Sequence, residues 1–182
     1  MSQPDSYTRT AIGLHWLLAI AIVATFSVGL YMHELPLSPD KLKIYSWHKW
    51  AGVTIFLLVL FRLVWRLTHQ PPAPPATMPV WQHVAAEAAH WLLYALMIAV
   101  PLSGWLMSSA KGFQTVYFGV LPLPDFLAKN KELGETLTEV HEVLNFTLAG
   151  LVLAHAGAAL KHHFIDRDNV LARMLPFIKK ND

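Results

Sequence analysis

Four histidines in otherwise apolar sequence carry the chemistry of this chain: His15, His48, His141 and His155. His141 and His155 lie 14 residues apart in the segment VHEVLNFTLAGLVLAHAGAAL. In an α-helix that spacing is close to four turns, so both imidazoles leave one face, separated by roughly 21 Å along the axis. That rise is most of the ~30 Å hydrocarbon thickness of a bilayer. Ionisable side chains inside an apolar span are costly and point to function. One helix with an imidazole near each side of a membrane is arranged to hold two metal centres in series.

The elements that must position these rings can be read from composition and pattern. Of the 182 residues, 54% are hydrophobic and only 14% charged, too apolar a balance for an ordinary soluble domain. Seven Trp suit aromatic belts at two membrane interfaces. The formal charge is +2 with no Lys/Arg-rich run, which argues against a nucleic-acid partner. The chain has no cysteine. That removes disulfides, thiolate zinc sites, iron–sulfur clusters and covalent haem attachment together. Ten histidines remain as the plentiful metal ligand.

Four stretches have membrane-spanning length, at about residues 11–32, 47–67, 84–108 and 140–163. The first is longer than a signal-peptide core and lacks a clean small-x-small end, so it is expected to be a retained span. Pro101 is expected to kink the third. A polar loop at 33–46, a stiff Pro-rich linker at 69–80 and a long loop at 110–139 connect them. The charged end of the last loop, AKNKELGETLTE, reads as a short interfacial helix. The expectation is one membrane domain over residues 1–182, an all-α transmembrane four-helix bundle.

With four spans, both termini share a side. That side collects Arg9, Arg62, Arg66, Lys161, Arg167, Arg173, Lys179 and Lys180, and every arginine of the chain falls there. The other side collects Lys41, Lys43, Lys49, Lys111, Lys129 and Lys131. The acids run the opposite way, five against seven. The positive-inside rule therefore predicts cytoplasmic N- and C-termini. His15 and His155 then share the inner level, and His48 and His141 the outer level.

A histidine-only site can take zinc, copper or haem iron. Catalytic zinc usually needs three ligands and an opening to water. Two histidines from opposing helices, with no carboxylate at their level, suit a six-coordinate haem better. Gly52, one turn from His48, and Gly13 and Gly157, close to His15 and His155, offer room for a flat macrocycle. Arg9, Arg62 and Arg66 at the inner rim suit haem propionates. His90 shares the inner level, either as a replacement ligand or as a neighbour of the site. His33, His69 and His83 read as solvated. His162 and His163 follow His155 in AALKHHFIDRDNV. They read as an interfacial anchor or, for His162, as a proton donor to a quinone.

These same stretches resemble the bacterial cytochrome b561 family of small dihaem membrane cytochromes, related to the cytochrome b subunits of nickel–iron hydrogenase. The likeness is carried by RTAIGLHW, WHKWAG, FRLVWRL, PPAPP, AAHWLLYALMIAVPLSGWL and VHEVLNF…VLAHAGAALKHHFIDRDNVLARMLP, and spans about residues 5 to 176. The resemblance implies two haem b per chain, with His15, His48, His141 and His155 as iron ligands. It also implies a multi-pass place in the bacterial inner membrane, among lipid, with ubiquinone as acceptor near His162 and Lys161. Some members oxidise superoxide at the periplasmic face, which makes Lys49 and Lys111 candidates for attracting the anion; others are electron carriers.

The leading expectation is thus a membrane oxidoreductase of the superoxide:ubiquinone type, with Asp166 or His162 supplying protons. The alternative is an anchor subunit relaying electrons between quinone and a partner dehydrogenase or hydrogenase. A haem-free transport or structural protein is the third class. No nucleotide loop, G-x-S-x-G or H-E-x-x-H motif is present.

Overall fold

The computed structural model describes residues 6–75, 77–175 and 177–178. Lys179 and Lys180, with Asp5 and Asp182, enter the charge balance above but lie outside the described residues. Four long helices make up the fold: α1 (Arg9–Glu34), α2 (Pro39–Thr68), α3 (Val80–Ala110) and α4 (Lys131–Lys161). Each is long and apolar enough to cross a membrane. A π-helical turn, His162–Asp166, continues α4.

The helices outrun the apolar windows, because polar residues cap and extend them. Ser38 accepts the Lys41 backbone N–H, Pro39 occupies the first helical turn, and Asp40 faces the positive end of the helix dipole. So α2 starts within the stretch expected as a polar loop. Asn130 accepts the Leu133 N–H at 3.0 Å and starts α4 at Lys131. The charged stretch expected as a short interfacial helix leading into the fourth span is, from Lys131 on, the first turns of α4 itself. Each such cap contributes about 1 kcal/mol to its helix. Helix α3 runs through Pro101 as one element. It ends in a Schellman closure, with Gly112 at φ 76°, Phe113 N–H on Ser108 O, and Gly112 N–H on Ser109 O.

Between α3 and α4 a short antiparallel hairpin forms from β1 (Val116–Tyr117) and β2 (Leu121–Pro122), pairing Val116 with Pro122 and Tyr117 with Leu121. Trp50 Nε1 donates to the Val116 carbonyl at 2.7 Å, and Tyr117 OH meets Thr54 Oγ1 at 2.8 Å. These bonds fold the hairpin onto α2.

The bundle packs around two clusters. Leu18 of α1, Ile55 and Val59 of α2 and Tyr94 of α3 form one; Leu93 and Leu96 of α3 with Leu148 of α4 form the other, and Ile22 touches both. The outer faces stay apolar: Ile20, Leu57, Phe61, Val143 and Leu153 are all exposed. Such a surface is what lipid solvates. Past the π-helical turn the chain folds back, and the Met174 carbonyl accepts from Trp16 Nε1 at 2.7 Å.

Candidate functional site

At the end of the bundle away from the termini, His48 of α2 faces His141 of α4 with ring centres 6.5 Å apart. At the end that carries the termini, His15 of α1 faces His155 of α4 at 6.1 Å. Two imidazoles on opposite sides of one ion, at metal–nitrogen bonds of about 2.0 Å, have ring centres roughly 6 Å apart. Both pairs match that spacing, and both draw one member from α4, as the 14-residue interval requires. His90 of α3 lies 5.3 Å from His155, with the rings steeply inclined as in the other two pairs, and is closer than the spacing for two ligands on opposite sides of one ion. The inner level therefore gathers three imidazoles, and His90 sits beside the facing pair.

The outer pair borders an apolar cavity of about 330 Å³, lined by residues of all four helices, among them Ile22, Phe56, Met97, Leu148 and Gly52. Two glycines that sequence reasoning missed set the rings in place. A Cβ on Gly29 of α1 would sit 3.2 Å from His48 Cε1, and one on Gly104 of α3 would sit 3.0 Å from His141 Cε1. Each imidazole thus sets its Cε1 edge against a helix where a side chain is missing. Around Gly13, Gly52 and Gly157 an added Cβ would meet open space.

Hydrogen bonding fixes which nitrogen of His141 is free. Its Nδ1 lies 3.1 Å from the Val100 carbonyl and 2.9 Å from Ser103 Oγ. A carbonyl can only accept, and the Ser103 hydroxyl already donates to Val100 O at 2.8 Å. Nδ1 therefore carries the proton, and Nε2 keeps its lone pair. This is the arrangement by which proteins orient a metal-binding histidine. Val100 and Ser103 place those acceptors on α3, a role that sequence spacing alone could not assign. His48 Nδ1 is buried without a hydrogen bond among the described residues, although the Thr25 backbone lies beside it.

The inner level is more polar. Arg62 Nε donates to Tyr94 OH at 3.1 Å, and the Arg62 and Arg66 guanidiniums lie over the Tyr94 ring at 5.9 and 6.0 Å. Arg66 also covers Trp91 at 5.7 Å. Arg9, grouped with them by sequence, is the exposed first residue of α1. Just beyond, His162 Nδ1 meets Asp168 Oδ2 at 2.7 Å and Asp166 Oδ2 at 3.2 Å. Lys161 Nζ pairs with Asp166 at 2.6 Å. Asp168 is a second partner of His162 that the sequence did not single out. His33, His69 and His83 are exposed, as expected.

At the opposite end, Lys49 lines the outer cavity and donates to the Phe113 carbonyl at 3.0 Å. Lys111 lies against Gly134, and with Phe113, Lys129, Lys131 and Glu135 borders a second depression. Phe113 thus separates the two lysines that the sequence suggested as a patch.

An all-histidine donor set, two facing pairs at metal-spanning distance, an apolar cavity between helices and an oriented Nδ1–H on His141 fit a non-covalent, planar, iron-bearing cofactor. The relatives of the chain agree. Residues 6–177 match the family model described as prokaryotic cytochrome b561. The chain is 34% identical to cytochrome b561 homolog 2 of Escherichia coli K12 over 94% of its length and 92% of that protein. It is 31% identical to cytochrome b561 homolog 1 of the same organism, over 94% and 98%. It is also 31% identical to a protein of Yersinia pestis named "Probable superoxide oxidase CybB", over 93% and 96%. The chain therefore belongs to the prokaryotic cytochrome b561 family, multi-pass proteins of the bacterial inner membrane that bind b-type haem and carry electrons across it.

Proposed function

We propose that this chain holds two b-type haems, one between His48 and His141 and one between His15 and His155, and passes electrons from superoxide at the periplasmic face to ubiquinone at the cytoplasmic face. The observation that carries this reading is the stacking of two facing imidazole pairs along one bundle, 6.5 and 6.1 Å across. When bound, haem supplies one-electron chemistry. The protein orients the ligands, excludes water with its apolar walls and holds the proton on His141 Nδ1. The excess of basic residues, with all arginines at the end that carries the termini, supports cytoplasmic termini.

At the quinone end, His162 is the proton carrier in this reading. Its Nδ1–H on Asp168 leaves Nε2 able to exchange a proton. Lys161 and Asp166, paired to each other, lie beside it. At the other end, Lys49 and Lys111 on either side of Phe113 favour approach of an anion. The name of the Yersinia relative supports superoxide as donor.

The test uses the purified chain alone, with a superoxide source and a soluble ubiquinone. Superoxide-dependent haem reduction followed by quinol formation is the expected result, and a strict requirement for a second protein would instead favour the relay-subunit reading. Lys49→Ala and Lys111→Ala are each expected to slow haem reduction several-fold at low salt, with the difference shrinking at high salt. Equal rates at every ionic strength would remove the lysines from the mechanism. Ser103→Ala takes away one of two acceptors for His141 Nδ1. It is expected to weaken haem retention at the outer level about tenfold, measured as absorbance lost on dilution.

A further inference from the structure

Arg62 and Arg66 stand out among the charged groups of the bundle. Both are half-buried within α2, four residues apart, and neither has a carboxylate within ion-pair distance among the described residues. A cation held in an apolar span without a counter-charge from the protein is costly, so its retention points to a bound group that it serves. Arg62 is also held still. Its Nε donates to Tyr94 OH, and Tyr94 is only 6% exposed in the core beside Leu18 and Val59. On α3, Tyr94 lies one turn from His90, the neighbour of His155. The guanidinium is within electrostatic reach of His15, His90 and His155.

The outer pair is bordered by a lysine instead, and no arginine lines its cavity among the described residues. His48 and His141 face each other, Ser103 and apolar walls. That lysine, Lys49, turns its ammonium to the Phe113 carbonyl at 3.0 Å and lies within electrostatic reach of Asp125.

We propose that the Tyr94-held Arg62, with Arg66, raises the reduction potential of the inner centre above that of the outer one and so sets the resting direction of electron flow toward the end that carries the termini. The inference rests on the two-haem reading above. A fixed positive charge stabilises whichever oxidation state carries one more electron, and burial strengthens the effect. With haem held at both levels, the step would be a single electron transfer, one electron leaving the group held by His48 and His141 and being taken up by the group held by His15 and His155. No bond or proton changes hands. Tyr94 and Arg62 are positioning and tuning groups, since neither needs to touch a reacting atom.

Equilibrium redox titration of the purified holoprotein, followed in the b-type absorption band, tests this. The parent should titrate in two waves, the higher one missing from His155→Ala. In Arg62→Gln the electron distribution between the two centres should shift at least tenfold toward the outer one, which for one electron is 59 mV, all of it in the higher wave. Arg62→Lys should keep most of the gap. Tyr94→Phe, which frees the guanidinium but retains its charge, should give an intermediate shift. Two unmoved waves, or equal movement of both, would overturn the proposal while leaving the two-haem reading intact. Loss of one haem from Arg62→Gln would overturn it too, because Arg62 would then be holding the group rather than tuning it. A parent with a single wave and one haem per chain would instead sink the underlying reading.

Discussion

His155→Ala is expected to leave this chain folded with half its haem. In the parent, pyridine-haemochrome analysis against protein concentration should give two haems per chain; the variant should give one. Transfer of electrons between the two sides should stop, because the remaining centre is confined to the outer level. The expectation follows from geometry. His155 is the α4 member of the inner pair, and among the described residues it is the imidazole that stands 6.1 Å from His15. Its replacement opens a hole in a membrane-facing helix without removing any residue of the two packed clusters, so secondary structure by circular dichroism should be preserved. The same substitution at His90 should retain both haems, since that ring lies 5.3 Å from His155, nearer than the 6.1 Å of the His15–His155 pair. Two haems left in His155→Ala, or one left in His90→Ala, would exchange the roles of these residues.

Filling Gly104 should abolish the outer centre alone. A Cβ there would stand 3.0 Å from His141 Cε1 and 3.3 Å from its Nδ1, tighter than ordinary contact. Gly104→Leu must displace the ring and break the Nδ1–H bonds to Val100 and Ser103. Overpacking of this kind costs about 1–3 kcal/mol even where neighbours can yield, and a tilted ligand loses its metal besides. The expected spectrum is that of the inner haem alone. Gly29→Leu should act in the same sense but more weakly, the contact to His48 Cε1 being 3.2 Å. Gly150→Ala on α4, where an added Cβ meets nothing, should be silent and controls for a glycine change in a span. Full haem content in Gly104→Leu would show that His141 is not held where the structure puts it.

Much of this arrangement was open to inference from the chain alone, for a definite physical reason. A membrane span can satisfy its backbone only as a helix, so long apolar windows reveal the four elements directly. Within a helix, spacing fixes direction. The interval from His141 to His155 determines that one helix serves two levels, whatever packs against it. The absence of cysteine narrows the cofactor by elimination. The up-and-down order of four spans then assigns His15 to the level of His155 and His48 to that of His141.

Helix ends were less legible, because caps such as Ser38 and Asn130 act through single hydrogen bonds that hydropathy does not register. So α2 and α4 begin inside stretches that look like loop. The glycines divide in the same way. Gly52 and Gly13 are close to histidines in sequence. Gly29 and Gly104, which meet the His48 and His141 rings, come from other helices and become neighbours only when the bundle closes. Sequence thus determined the four helices, the two levels and the residue type that serves them, all properties of one chain segment at a time. Only the tertiary structure decided that His90 stands beside the inner pair, that Ser103 and Val100 set the His141 tautomer, that Asp168 joins His162, and that Tyr94 anchors Arg62. Each of these depends on the rotation and depth of one helix against another, which no periodicity within a single helix can specify.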